Sequence, residues 1–401
     1  MIPTIVEAVH VDGAGTLERD GRGCDGGHAM NPVVQELPTG RVVFGPGAIA
    51  QVPDEVGRLG GTAVLLIVGT AQKAAADQVA AGLGERVAAR IGEVVQHVPE
   101  EVAEEALRLA RAVAADALVC IGGGSATGLA KAVALQARVP ILAVPTTYAG
   151  SEMTPVWGIT ATGRKATGRD PGVRPQTVVY DPLLTLSLPP AFTAASGLNA
   201  AAHCVEALYA DGAGPVTALF AEQGLRTLAA ALPRCVEAPG NVDARGQALY
   251  GAWLAGLAVD GADMGVHHKI CHVLGGSFGL PHAEVHAAVL PHAAAFNAEA
   301  APAALARAAR ALGATDLPGG LWDLASRISA PTSLRRLGLR FEDIEVAAEL
   351  VAAAEPANPR PVDAAGVAGV LRAAYDGRRP TSIGQQAPTQ GTTSRVDGRT
   401  P

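Results

Sequence analysis

The stretch "LVCIGGGSATGLAKAVAL", residues 118–135, decides the fold. Leu118 to Ile121 form a short apolar run of the kind a buried strand needs, and from Ser125 onward small and apolar residues recur at helical spacing. Gly122, Gly123 and Gly124 fall at the junction. A strand that runs into glycines and turns directly into a helix begins a βα unit. The N–H groups free at such a turn, together with the helix dipole, suit a diphosphate. A tight turn alone would also account for three glycines, because the stretch lacks both the G-x-G-x-x-G spacing and the Walker lysine and serine.

Working outward, residues 62–187 alternate β-branched runs with alanine-rich stretches. "TAVLLIVG" is followed by "AQKAAADQVAAGL", then "GEVVQHV", "PEEVAEEALRLARAVAA", "DALVCIGGG", "SATGLAKAVALQA" and "VPILAVPTT". Strands and helices in alternation predict a parallel sheet flanked by helices, an α/β Rossmann-like domain. Thr146 and Thr147 then sit at the carboxyl end of a parallel strand, the usual ligand edge. With Gly122, Gly123, Gly124 and Ser125 they make a candidate dinucleotide site. From residue 188 to 376 no strand pattern appears, and runs such as "GPVTALFAEQGLRTLAAALP" and "GQALYGAWLAGLAVDG" predict an all-helical domain. The expected division is a leader over 1–37, an α/β domain over 38–187, a helical domain over 188–376 and a polar tail over 377–401. Both ends are read as disordered, the leader at least at its start, and Met30 offers an alternative start.

The 401 residues exceed what one core usually holds, and 49% hydrophobic against 17% charged residues exclude a mainly disordered chain. A formal charge of -7 with no basic tract argues against nucleic acid as a partner. Five scattered cysteines without a C-x-x-C pair suit a reducing compartment. No run reaches the roughly 18 apolar residues of a membrane span, and no secretory signal opens the chain, so a cytoplasmic protein is expected.

Six of the ten histidines lie in "GVHHKICHVLGGSFGLPHAEVHAAVLPHAAAFN", residues 265–297. His268 and His272 are four apart and share a helix face, whereas His267 is expected to one side of it. His282 follows after the Gly275–Gly276 pair. One histidine on an alanine-rich helix is ordinarily a core or surface residue, but burying several together without a proton, partner or ion is costly. Upstream, "LNAAAHCVEALYA" (198–210) sets Asn199 and His203 on one helical face.

"IGGGSATGLAKAVAL", "VPTTYAGSEMT", Asn199-x3-His203, "HHKICHVLGGSFGLPH" and "LPHAAAFN" together resemble the iron-containing (group III) alcohol dehydrogenase family. "PTTYAGSEMTPVWGIT", "GRKATGRD" and "SGLNAAAHCVEALYA" are most similar to its maleylacetate reductase branch, and the likeness spans about residues 38–376. It implies a dinucleotide-binding domain facing a helical domain across a cleft, the dehydroquinate synthase-like architecture, in a homodimer. Metal-dependent members hold their ion with an aspartate, a histidine four residues on, a histidine of H-x3-H and the histidine of "PHG". In this chain those positions are Asn199, His203, His268 and His282, so the carboxylate is replaced by an amide and "PHG" by "PHA". Three imidazoles and an amide carry no negative charge to offset a divalent ion, so the expectation is catalysis without a metal. "PTTYAGSE" is also one residue shorter than "PTTAGTGSE" of the metal-dependent relatives, and positions 148–151 are not carried over.

Without a metal, the negative charge that hydride transfer places on a carbonyl oxygen must be met by proton donation. His203, His268, His272 and His282 are the candidates, with His268 and His272 foremost. The substrate that the resemblance implies, maleylacetate, is a dicarboxylate and needs cations. Arg164, Lys165 and Arg169 of "GRKATGRD" are candidates beside Asn199, with Lys269 a further one, although such basic residues also suit a solvated hairpin. The first strand ends in Gly69, Thr70 and Ala71 with no acidic residue, so NADH and NADPH are both admissible. The rival readings are a metal-dependent alcohol dehydrogenase tolerating Asn199, a lyase of the dehydroquinate synthase kind, and a non-catalytic binding protein.

Overall fold

The runs VLLIV, ALVCIG and ILAVP contain no charged side chain, are buried at every position, and form the middle of a six-stranded sheet. Continuous apolar strands of this kind belong to parallel sheets covered on both faces. In this computed structural model the described residues are 40–96, 98–161 and 164–380, with the side chains of Arg164 and Lys165 left aside. The expected leader, the alternative start at Met30 and the tail beyond residue 380 lie outside the described residues.

Chain order runs β1 (Arg41–Phe44), α1 (Val52–Arg58), β2 (Val64–Val68), α2 (Lys73–Leu83), β3 (Val87–Ile91), α3 (Glu100–Ala112), β4 (Ala117–Gly122), α4 (Gly124–Ala137) and β5 (Ile141–Pro145). A hairpin of β6 (Val156–Ala161) and β7 (Arg164–Arg169) follows, then β8 (Thr177–Tyr180). The sheet order is β1-β8-β5-β4-β2-β3, with every pairing parallel. β3 lies on one side of β2 and β4 on the other. The carboxyl ends of β2 and β4 therefore flank the point where the strand order reverses, and this is where α/β sheets hold ligands.

No strand forms among the described residues of "GEVVQHV"; β3 comes earlier, at Val87–Ile91. It is an edge strand paired only with β2, and its side chains alternate between half-buried and exposed. Two alanines and an arginine satisfy that environment, so the segment lacked the apolar run that marks the central strands.

After β8 every described α-helix belongs to one helical region: α5 (Pro190–Tyr209), α6 (Pro215–Glu237), α7 (Val242–Asp260), α8 (Val266–Phe278), α9 (His282–Phe296), α10 (Pro302–Leu312), α11 (Leu317–Arg327), α12 (Asp343–Ala352) and α13 (Ala364–Asp376). Starts follow local chemistry: Asn241, Asp316 and Asp363 accept from the N–H groups of Ala244, Gly319 and Gly366 at 3.0, 2.9 and 2.7 Å. One apolar core runs from the α3–α4 face of the sheet into α5, α6 and α7. A second fills the opposite face beneath α1 and α2, and a third joins α8, α9, α12 and α13. No helix among the described residues is long and apolar enough to cross a membrane.

Candidate active site

At the strand-order reversal the predicted nucleotide residues come together. The Gly69 N–H donates to the Ile121 carbonyl at 2.8 Å, and the Thr146 N–H to the Gly122 carbonyl at 3.0 Å. A Cβ on Gly122 would lie 2.9 Å from the Ala126 Cβ and 3.3 Å from the Gly69 nitrogen; one on Gly123 would lie 2.9 Å from Thr147 Cγ2. Only glycine permits this approach of three segments. α4 opens with Gly123 as its N-cap and no side-chain cap, which leaves the leading N–H groups of Gly124 and Ser125 pointing out of the helix. Those groups, the half-buried Thr147 and the bare backbone fit a dinucleotide diphosphate.

The segment after β5 then crosses to the helical region, held by two buried cations. Lys131 of α4 donates to the carbonyls of Ser151 and Val156 at 2.6 and 2.8 Å and to Thr154 Oγ1 at 3.1 Å. Burial draws its ammonium down to about 7. Arg245 of α7 is fully buried, has no carboxylate partner among the described residues, and donates to Tyr148 Oη at 3.2 Å, Thr193 Oγ1 at 2.7 Å and the carbonyls of Leu188 and Pro239. The Tyr148 N–H in turn reaches Ser196 Oγ of α5 at 3.0 Å. Gly150 lies against Gly256 of α7, and a Cβ on it would stand 3.5 Å from His203 Nδ1. The nucleotide loop therefore ends over the first histidine.

Asn199, His203 and Glu206 occupy one face of α5, all buried. The ring of His203 stacks on that of His268 with centroids 4.8 Å apart. His268 is edge-on to His286 at 4.9 Å and to His272 at 6.4 Å, and the exposed His272 stacks on His282 at 6.0 Å. His203, His268 and His272 thus form a file from the interior to the surface, with the half-buried His282 beside His272 and 4.6 Å from the buried His286. His267 is a correction: instead of lying to one side it is fully buried, 5.1 Å from His268 and 4.9 Å from His286 by ring centroid. A 100° step along α8 does not carry it to solvent, because α9 covers that side.

Glu206, which the sequence reading passed over, organises the cluster. Its carboxylate accepts from the N–H groups of Gly265 and His267 at 3.1 and 2.9 Å, from Tyr209 Oη at 3.0 Å and from His268 Nδ1 at 2.5 Å. Burial alone would raise its pKa, but the His268 and His267 imidazoles and these donors hold the carboxyl below its usual value. The pointer was present in sequence: Asn199, His203 and Glu206 stand at i, i+4 and i+7. With Nδ1 committed to Glu206, His268 Nε2 is buried and has no hydrogen-bond partner among the described residues. His203 is held well below an ordinary histidine by burial and by the neighbouring imidazoles, and so is neutral.

The four positions carried over from metal-dependent relatives do not fit a divalent ion well. Asn199 Oδ1, His203 Nδ1 and His268 Nε2 are buried atoms with no hydrogen-bond partner among the described residues, but the set includes no carboxylate to offset the charge of an ion. The donor sets within 4.8 Å of one another among the described residues are Glu206–His267–His268 and His267–Cys271–His286, neither of them the family set.

Arg169 is also corrected as a free cation: it donates to the Asp260 carbonyl at 2.9 Å and pairs with Oδ1 at 3.0 Å, while Arg174 takes Oδ2 at 2.8 Å. Arg164 and Lys165 open β7 on the same hairpin. Lys269 is half-buried beside His268 and has no ion-pair partner among the described residues.

Comparison with known proteins agrees with this geometry. Residues 38–182 match the model of the iron-containing alcohol dehydrogenases, and residues 193–375 that of the Fe-containing alcohol dehydrogenase family, C-terminal. The chain is 49% identical to a maleylacetate reductase of Burkholderia cepacia over 352 residues, 88% of this chain and 100% of that one. It is 47% identical to one from Sphingobium indicum, covering 88% and 99%. The crystal structure of maleylacetate reductase from Agrobacterium tumefaciens superposes with a TM-score of 0.83 at 44% identity, covering 88% of this chain and 100% of that one.

Proposed function

Since the chain belongs to the iron-containing alcohol dehydrogenase family, we propose that it reduces maleylacetate to 3-oxoadipate with NADH or NADPH and without a metal ion. It is an oxidoreductase; Gly122–Ser125 and Thr146–Thr147 would hold a reduced nicotinamide, which would supply a hydride to the alkene carbon β to the keto group, while the keto oxygen carries the enolate charge and the matching proton ends on the adjacent carbon, so that the ketone survives in 3-oxoadipate. Residues 38–187 serve as the dinucleotide domain and 188–376 as the helical one, in a cytoplasmic homodimer. The observation that carries the metal-free reading is Asn199, an amide, at the position where metal-dependent relatives hold a carboxylate ligand. Glu206 takes the hydrogen bond from His268 Nδ1 and fixes the ring plane, so Nε2 is the atom from which His268 passes a proton to meet the charge developing on the keto oxygen. His272 and His282, toward the surface, return the proton from solvent. His203, kept neutral, and Asn199 position the substrate.

The two substrate carboxylates are met by Arg164 and Lys165 on β7 and by Lys269 on α8, because Arg169 is already neutralised by Asp260. No acid follows β2, where Gly69, Thr70 and Ala71 lead to the exposed Lys73, so a 2′-phosphate is not repelled.

The test is a substrate panel with both reduced nicotinamides, run before and after EDTA. Maleylacetate should drive oxidation of the nicotinamide equally in both states, and simple alcohols with NAD+ should give almost nothing. A better rate with 1,2-propanediol, or activity abolished by chelation and restored by iron, would overturn the proposal.

A further inference from the structure

The histidine-rich helices hold a second set of ligand atoms that the reduction does not use. His267 and Cys271 are four apart on α8, and the Sγ to Nε2 distance is 3.6 Å. That is close to one edge of a tetrahedral site: Zn–S near 2.3 Å and Zn–N near 2.0 Å place sulfur and nitrogen about 3.5 Å apart. His286 of α9 completes the set, and the three ligand atoms lie within 4.8 Å of one another. All three residues are buried, and neither ring nitrogen of His286 has a hydrogen-bond partner among the described residues. An imidazole at 1% exposure with both nitrogens unmatched is an uncompensated cost in a protein interior.

We propose that His267, Cys271 and His286 form a binding site for a soft divalent cation of the Zn2+ class, distinct from Asn199, His203, His268 and His282. The chemistry of the donors separates the two places. Cys271 loses its proton to solvent on binding and contributes a thiolate, the anionic soft ligand that the Asn199 set lacks. Glu206, bonded to the His267 N–H at 2.9 Å, adds a second negative charge beside the ion without being needed as a ligand. His267 gives up the contact of its Nε2–H with the His286 carbonyl, at 3.2 Å, as that ring proton moves to Nδ1 and the freed Nε2 lone pair takes the metal. Two imidazoles and a thiolate select Zn2+ or Cd2+ over Mg2+ or Ca2+.

The inference stands apart from the substrate assignment, because it concerns binding by the resting protein. The experiment titrates the full chain, stripped with EDTA and dialysed, with Cd2+ while following the ultraviolet thiolate-to-metal charge-transfer band, with Zn2+ stoichiometry from elemental analysis. One equivalent should bind with the band present. Cys271→Ser should abolish the band and weaken binding by more than about 100-fold, while its metal-free activity stays within about twofold of the parent. His286→Asn should weaken binding comparably and leave Cys271 in place, which covers the case in which the serine variant folds poorly. Binding without a thiolate band, or a band and affinity unchanged in Cys271→Ser, would overturn the proposal.

Discussion

Glu206 on α5 and His268 on α8 are 62 residues apart in the chain and 2.5 Å apart in the structure, Oε2 to Nδ1. The carboxylate is fully buried, and three further donors hold it in place, so the imidazole ring has one orientation available to it.

Replacing Glu206 by glutamine keeps the shape and removes the charge. Turnover is expected to fall about 10- to 100-fold while KM for NADH stays within about twofold. Steady-state kinetics on both substrates separate the two, and unaltered turnover would remove His268 from its assigned role.

Gly123→Ala places a methyl 2.9 Å from Thr147 Cγ2 in a backbone conformation that alanine tolerates, with φ at -85°. The fold should persist and NADH affinity should fall about tenfold or more, a loss of about 1.4 kcal/mol. Nucleotide fluorescence titration measures this directly.

The hairpin cations divide by partnership. Arg169→Ala is expected to change KM for maleylacetate less than about threefold, because its charge is already matched by Asp260. Arg164→Ala and Lys165→Ala should each raise it about tenfold or more. Equal effects at all three positions would return Arg169 to the substrate site.

Arg245→Met removes the donor shared by Tyr148, Thr193, Leu188 and Pro239. We expect a stability loss of about 2–4 kcal/mol from the stranded acceptors, with a raised KM for NADH as the Tyr148 segment loosens. Urea unfolding and initial-rate kinetics check the two effects.

Acid should destabilise the protein through its buried histidines. Burial lowers both His267 and His292 to about 4, against 6.5 in an unfolded chain. Between those values the unfolded state binds more protons. Their contribution is therefore complete above about pH 6.5 and lost as pH falls toward 4, on the order of 3 kcal/mol for each. His292 also leaves Nε2 buried and unmatched. His292→Leu should flatten the decline of Tm between pH 7 and 5, whereas an unchanged slope would contradict the burial argument.

The sequence by itself determined the parallel sheet, the glycine-lined nucleotide edge, the helical second half and the family, because these depend on local properties: runs buried on both faces, βα turns and helical period. It placed Asn199 and His203 on one face for the same reason. It misplaced β3, since an edge strand of valine and alanine has little local signature, and it passed over Glu206 although i+7 spacing marked it. Only the tertiary structure decided which histidines are buried, which cation is already neutralised by Asp260, and that Glu206, rather than a ligand aspartate, is the carboxylate at the centre. Those outcomes depend on the packing of α5, α8 and α9 against one another. Burial and charge pairing between segments far apart in the chain are set by that packing, and no local pattern records them.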